Sequence, residues 1–126
     1  MENYQCHITI DNRTKYHLRL NKANLAWGEF MEKMSPVDDI APKTELKAFV
    51  ATGSVGPAGT EGTVVYNFQD DANLTVSIFF DVPTTPWKNN AVAAQTSHPD
   101  ISASVAGFIG KGAVESCTVK VVDGRG

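Results

Sequence analysis

Thr63-Val64-Val65-Tyr66-Asn67-Phe68-Gln69-Asp70-Asp71-Ala72-Asn73-Leu74-Thr75-Val76-Ser77-Ile78-Phe79-Phe80 decides the fold class. Val64, Tyr66 and Phe68 recur at every second position, and so do Leu74, Val76, Ile78 and Phe80. A period of two puts one face of an extended chain on a core, whereas a helix needs spacings of three and four. Asp70-Asp71-Ala72-Asn73 between the two runs is turn chemistry, because short polar side chains bond their own backbone. The stretch therefore predicts a hairpin with Phe79, Thr75 and Ser77 on its outer face. The Gly59-Thr60-Glu61-Gly62 segment before it predicts a turn in which the two glycines supply φ > 0. Glu61 there either stabilises the turn or meets a ligand.

The same alternation extends along the whole chain, and no segment keeps helical spacing for three turns. Tyr4-Cys6-Ile8-Ile10 and Tyr16-Leu18-Leu20 flank Asp11-Asn12-Arg13-Thr14, which predicts a first hairpin. A third strand is expected over about Leu25 to Met31, then a loop from Glu32 to Pro42 and a strand from Thr44 to Ala51. Gly53 to Gly59 reads as a loop, and Val82 to Asn90 as a long exposed one. Ala91–Thr96 and Ile101–Phe108 are expected as strands around Ser97-His98-Pro99-Asp100. Val114 to Val122 closes the chain. Eight or nine short, antiparallel strands with regular turn signals predict a single all-β domain over residues 1–126, either a β-sandwich or a barrel.

The chain has 126 residues, 42% hydrophobic and 20% charged, which is enough for one core and excludes a disordered tail or a coiled coil. A net charge of −3 with scattered basic residues argues against nucleic acid and anionic lipid as partners. Met1-Glu2-Asn3-Tyr4-Gln5 lacks a basic start and an apolar run, so a leaderless protein is expected. It would accumulate in the producing cell or be released, and meet any membrane from the soluble state.

No cofactor or metal is expected. His7, His17 and His98 lack ligand spacing, and Asp38-Asp39 and Asp70-Asp71 lack the later bidentate Glu of a calcium loop. Gly59-Thr60-Glu61-Gly62-Thr63 has no phosphate-loop lysine, and Gly53-Ser54-Val55-Gly56 is no nucleophile elbow. A non-enzymatic protein is expected. Cys6 and Cys117 both fall on the apolar phase of their strands, and two readings stay open: buried free thiols, or a disulfide between the first and last strands.

What remains is aromatic. Trp27 is either a plug in the core or an exposed contact, and Trp87 stands in a loop between Pro86 and Lys88. An indole suits a membrane–water interface or a sugar face, being apolar with one polar N–H.

These residues resemble the aegerolysin family. The likeness is carried by Ala26-Trp27-Gly28, Gly59-Thr60-Glu61-Gly62-Thr63, and Phe80-Asp81-Val82-Pro83 followed by Trp87-Lys88-Asn89-Asn90. Ile8-Thr9-Ile10-Asp11-Asn12 and Leu46-Lys47-Ala48-Phe49-Val50-Ala51 extend it. The chain is most similar to the bacterial subgroup that forms the small component of binary insecticidal crystal toxins. The resemblance implies a two-sheet sandwich that binds a membrane lipid, typically a sphingolipid, and acts with a larger pore-forming partner. It implies a monomer or weak dimer, and lipid contact by Trp27, Phe80, Asp81 and Trp87; Lys88 and Glu61 are further candidate ligand contacts. Phe80, Asp81 and Trp87 match a Trp-Asp-Cys-Pro-Trp loop of fungal members, here with Phe80 for Trp, Val82 for Cys and Thr84-Thr85-Pro86 inserted. Two alternatives stay open: a carbohydrate-binding module that stacks Trp27 and Trp87 on sugar rings, and an actinoporin-like cytolysin, to which Val50–Gly56 is similar.

Overall fold

The computed structural model describes residues 4–53, 59–84 and 88–125. Among them are ten strands in two five-stranded sheets. They are β1 (Gln5–Asn12), β2 (Leu18–Trp27), β3 (Glu29–Phe30), β4 (Asp39–Ile40), β5 (Thr44–Thr52), β6 (Thr60–Phe68), β7 (Asp71–Val82), β8 (Ala91–Thr96), β9 (Ile101–Ala106) and β10 (Val114–Asp123). One sheet has the order β3-β5-β1-β10-β9, the other β4-β2-β6-β7-β8. The sandwich is as expected, with all pairings antiparallel except β1 with β10, which is parallel.

The β6–β7 hairpin is the centre of its sheet. Val64 pairs with Ile78 and Tyr66 with Val76, so the alternating apolar residues all point inward. Its turn is tighter than expected: Gln69 adopts φ 53° and β7 already begins at Asp71. The inner faces of both sheets meet in one core, in which the rings of Phe30 and Phe49 lie 5.8 Å apart and those of Phe49 and Phe80 lie 5.5 Å apart. Burial of such side chains contributes roughly 1.5–3 kcal/mol each, which holds the sheets face to face.

Three expectations need correcting. The Asp11–Thr14 turn does not close a hairpin, because β1 pairs with β5 and β10 while β2 lies in the other sheet. The turn carries the chain across the sandwich. Asn12 holds that crossing, being fully buried and donating from Nδ2 to the carbonyls of Tyr16, Ile40 and Ala41, while its Oδ1 accepts from Thr14. The strands around Ser97–Asp100 are present as expected and belong to different sheets, but β9 ends at Ala106 rather than Phe108.

The third correction concerns the strand expected from Leu25 to Met31. Its first half is the end of β2 and its second half is β3, in the opposite sheet. Gly28 is the pivot between them, at φ 90°. A Cβ there would fall 2.5 Å from the Thr52 carbonyl oxygen and 2.8 Å from Thr60 Oγ1, so only glycine fits.

Candidate ligand-binding surface

The two sheets end together where β2, β5, β7 and β9 finish and β1, β6, β8 and β10 begin. At this end Trp27 pairs with Glu61, Glu61 with Asp81, and Asp81 with Ala91, forming one row across the outer face. Lys88 reaches back to this row, its Nζ 3.2 Å from Asp81 Oδ2. Four of the expected contact residues (Trp27, Glu61, Asp81 and Lys88) are thus brought together, although they span 62 positions of the chain from first to last.

Their exposures differ. The Trp27 side chain stands out, 66% exposed, while Asp81 is 7% exposed beneath its lysine. Trp27 is therefore no core plug. The Gly28 pivot prevents β2 from running on and leaves its indole at the corner of the sheet. Thr60 Oγ1 donates to the Trp27 carbonyl at 3.3 Å, which ties that corner to β6.

Phe80, expected among the contact residues, is fully buried instead. It lies on the inner phase of β7 opposite Gly62, and its role is packing. The aromatic side chain that faces outward is its neighbour Phe79, 37% exposed and paired with Thr63 and Ala93 in the next row. Trp87 lies outside the described residues. The glycines on either side of the start of β6 also differ from expectation, since neither Gly59 nor Gly62 is at positive φ. They serve close approach: a Cβ on Gly59 would meet the Val82 carbonyl oxygen at 2.3 Å, and one on Gly62 the Asn24 carbonyl oxygen at 2.5 Å.

The thiols settle to one of the two readings. Cys6 and Cys117 are both free and buried, on the adjacent strands β1 and β10. Burial, then the neighbouring thiol and Glu115, pushes Cys6 far above an ordinary thiol. Burial and Glu115 push Cys117 up to about 11.

A second group at this end was not legible as a site in the sequence. Phe108 and Ile109, 41% and 64% exposed, tip the loop between β9 and β10, and Val114 beside them is 50% exposed. Glu115 is fully buried below, with Oε2 accepting from the Ile109 amide at 2.8 Å and Oε1 from the Gly110 amide at 2.7 Å. Asn90 completes the clamp. Its Nδ2 donates to Glu115 Oε1 at 3.2 Å and to the Gly112 carbonyl at 3.1 Å, and its own amide to the Gly110 carbonyl at 2.8 Å. Asn90, expected in an exposed loop, is only 6% exposed. The available signal was a carboxylate on the inner phase of a strand: Glu115 shares that phase with Cys117, Val119 and Val121.

The ion pairs Arg13–Asp11, Arg19–Asp70 and Arg125–Asp123 and the His17–Asp39 hydrogen bond lie at or near the opposite end. Among the described residues only Lys88–Asp81 joins opposite charges here. No group of three or more His, Cys, Asp or Glu side chains among the described residues is placed to hold a metal ion. No helix among them is long and apolar enough to cross a membrane.

An exposed indole, a carboxylate pair and apolar loop tips are thus gathered at one end of a β-sandwich. The aegerolysin family model matches residues 3–124, and the chain belongs to that family. No curated protein sequence matches it. Its fold is similar to that of RahU, solved in complex with a TRIS molecule, at a TM-score of 0.69 and 16% identity over 97% of this chain and 95% of that one. It is similar to the lipid binding protein Nakanori at a TM-score of 0.75 and 16% identity, over 94% of this chain and 70% of that one. IP-1A from Alcaligenes faecalis gives a TM-score of 0.66 and 19% identity over 97% of this chain and 94% of that one.

Proposed function

We propose that this chain binds a lipid membrane through the Trp27 end of the sandwich and recruits a larger pore-forming partner to it. The observation that carries the reading is the exposed Trp27 indole held beside Glu61, Asp81 and Lys88 at one end of the sandwich. An indole settles at the membrane interface, where its ring is half desolvated and its N–H still finds a partner. The Glu61 carboxylate beside an aromatic face suits the ammonium of a zwitterionic head group, and the exposed Lys88, held by Asp81, suits its phosphate. A sphingolipid head group of this kind is the proposed ligand. Family membership supports the reading, as does the fold shared with a protein described as lipid binding.

The motif likeness to the small components of bacterial binary crystal toxins supports an insecticidal role, with the protein itself catalysing no reaction. A panel of liposomes with and without sphingolipids tests the membrane step. Binding to sphingolipid liposomes, and leakage only after the larger partner is added, is the expected result. No binding to any liposome or to insect midgut membranes would sink the reading. The exposed Trp27 also suits a sugar ring, so a glycan-array hit unaffected by added lipid would favour a carbohydrate-binding module instead.

A further inference from the structure

We infer that the Gly107–Val114 loop is a second membrane contact, a preassembled wedge whose Phe108 and Ile109 enter the lipid interface while Glu115 and Asn90 hold its backbone. The inference rests on the membrane reading above and adds to it a site on the other sheet. Three observations support it.

The first is exposure. Among the described residues Phe108, Ile109 and Val114 are the large apolar side chains most exposed after Trp27, and all three fall within seven positions at this loop rather than being scattered along the chain.

The second is the state of the backbone. A peptide group carried into an apolar layer costs several kcal/mol if its hydrogen bond is left unmade. In this loop the amides of Ile109 and Gly110 are bonded to Glu115, and the carbonyls of Gly110 and Gly112 to Asn90. The Ala113 carbonyl accepts from the Gln5 amide at 2.9 Å. An ordinary surface turn leaves such groups to water. Here these five groups are paired inside the protein, so they are not stranded when the tip leaves water.

The third is position. The clamp joins the loop to Asn90, the residue before β8, and β8 pairs with the strand that carries Asp81. The wedge and the Trp27 row therefore belong to one rigid end and address the same plane. Lys111 at the tip adds a cation that can remain at the head-group level, as lysine side chains do at interfaces.

The buried thiols make a clean test possible, because a cysteine placed on the surface is the accessible one. Ile109→Cys and, at the opposite end, Asp70→Cys would each be labelled with an environment-sensitive fluorophore. The labelled proteins would be mixed with vesicles of phosphatidylcholine, sphingomyelin and cholesterol in equal parts, or with ceramide phosphoethanolamine in place of sphingomyelin. On bound protein the probe at 109 should shift to the blue and be quenched by acyl-chain nitroxides, whereas the probe at 70 should keep its aqueous emission. The double variant F108S/I109S should melt like the wild type and bind about tenfold or more weakly, since two apolar side chains no longer partition. Aqueous emission at 109 on bound protein, or unchanged binding by the double variant, overturns the inference and leaves the Trp27 reading standing. Failure of the wild type to bind either vesicle overturns both.

Discussion

The ring of Phe80 lies over the bare Cα of Gly62: a Cβ at Gly62 would stand 3.0 Å from Phe80 Cζ and 2.5 Å from the Asn24 carbonyl oxygen. Each residue explains the other, since the ring fills the space that the missing side chain leaves. Gly62→Ala must push against backbone and should cost about 1–3 kcal/mol, as overpacking does. Phe80→Ala should cost about 3–5 kcal/mol through the cavity it opens. Urea melts of both variants measure this. A melt of Phe80→Ala that matches the wild type would show that Phe80 is not the core residue described.

Trp27 should behave in the opposite way. With its side chain in solvent, Trp27→Ala should change stability by no more than about 0.5 kcal/mol. Binding to sphingolipid vesicles should weaken by more than about 1 kcal/mol, the loss typical of an aromatic anchor. Glu61→Gln keeps the shape and removes the charge that the proposed function sets against a head-group ammonium, so it should weaken binding without altering the melt. Equal binding by both variants and the wild type would remove this row from the contact surface.

The Glu115 clamp predicts a local signature. Glu115→Gln replaces one of the two acceptor oxygens with an NH2 group that cannot accept from the amides of Ile109 and Gly110. Hydrogen bonds to a charged group contribute about 1.5–3 kcal/mol, and a loss in that range is expected in urea melts. Amide hydrogen exchange at Ile109 and Gly110 should speed up, while amides in the middle of β6 and β7 keep their protection. Asn90→Ala should speed exchange in the same loop by a smaller factor. Uniform loss of protection across the sandwich would mean that Glu115 supports the whole core rather than the loop.

The thiols predict how stability responds to alkali. Cys117 is raised from 9.0 in its free form to about 11, and Cys6 is raised further, in both cases chiefly by burial. The folded state holds these protons more tightly than the unfolded chain. Their contribution is therefore complete below pH 9.0 and falls as the pH rises to about 11 and beyond. Tyr66, also raised by burial and bonded to the Val37 carbonyl at 2.9 Å, adds to the loss above pH 10.0. Urea melts across this range should show falling stability, with a shallower fall in Cys117→Ala. Thiol reagents should label both cysteines in urea and neither in native protein at neutral pH; rapid native labelling would contradict their burial.

Alternation along β6 and β7 was enough to establish strands, their inward faces and the all-β class, because a period of two is a local property that burial on one face imposes. That the strands form two sheets rather than a barrel is a matter of pairing. The position of Trp27 before a glycine, and the outward phase of Phe79, were legible for the same reason. What only the tertiary structure decided is which sheet each strand joins. Asp11–Thr14 and Ser97–Asp100 announce reversals, but turn chemistry is the same whether the chain returns beside itself or crosses to the facing sheet. The crossing depends on Asn12 reaching the carbonyls of Ile40 and Ala41, contacts nearly thirty positions away that no local pattern encodes. Glycine was ambiguous in the same way. Gly28 serves a positive φ and Gly62 a close approach, and only the neighbouring strands tell the two apart. The gathering of Trp27, Glu61, Asp81 and Lys88 into one row, and of Phe108 and Ile109 above Glu115, likewise follows from strand register, which long-range pairing sets and local sequence does not.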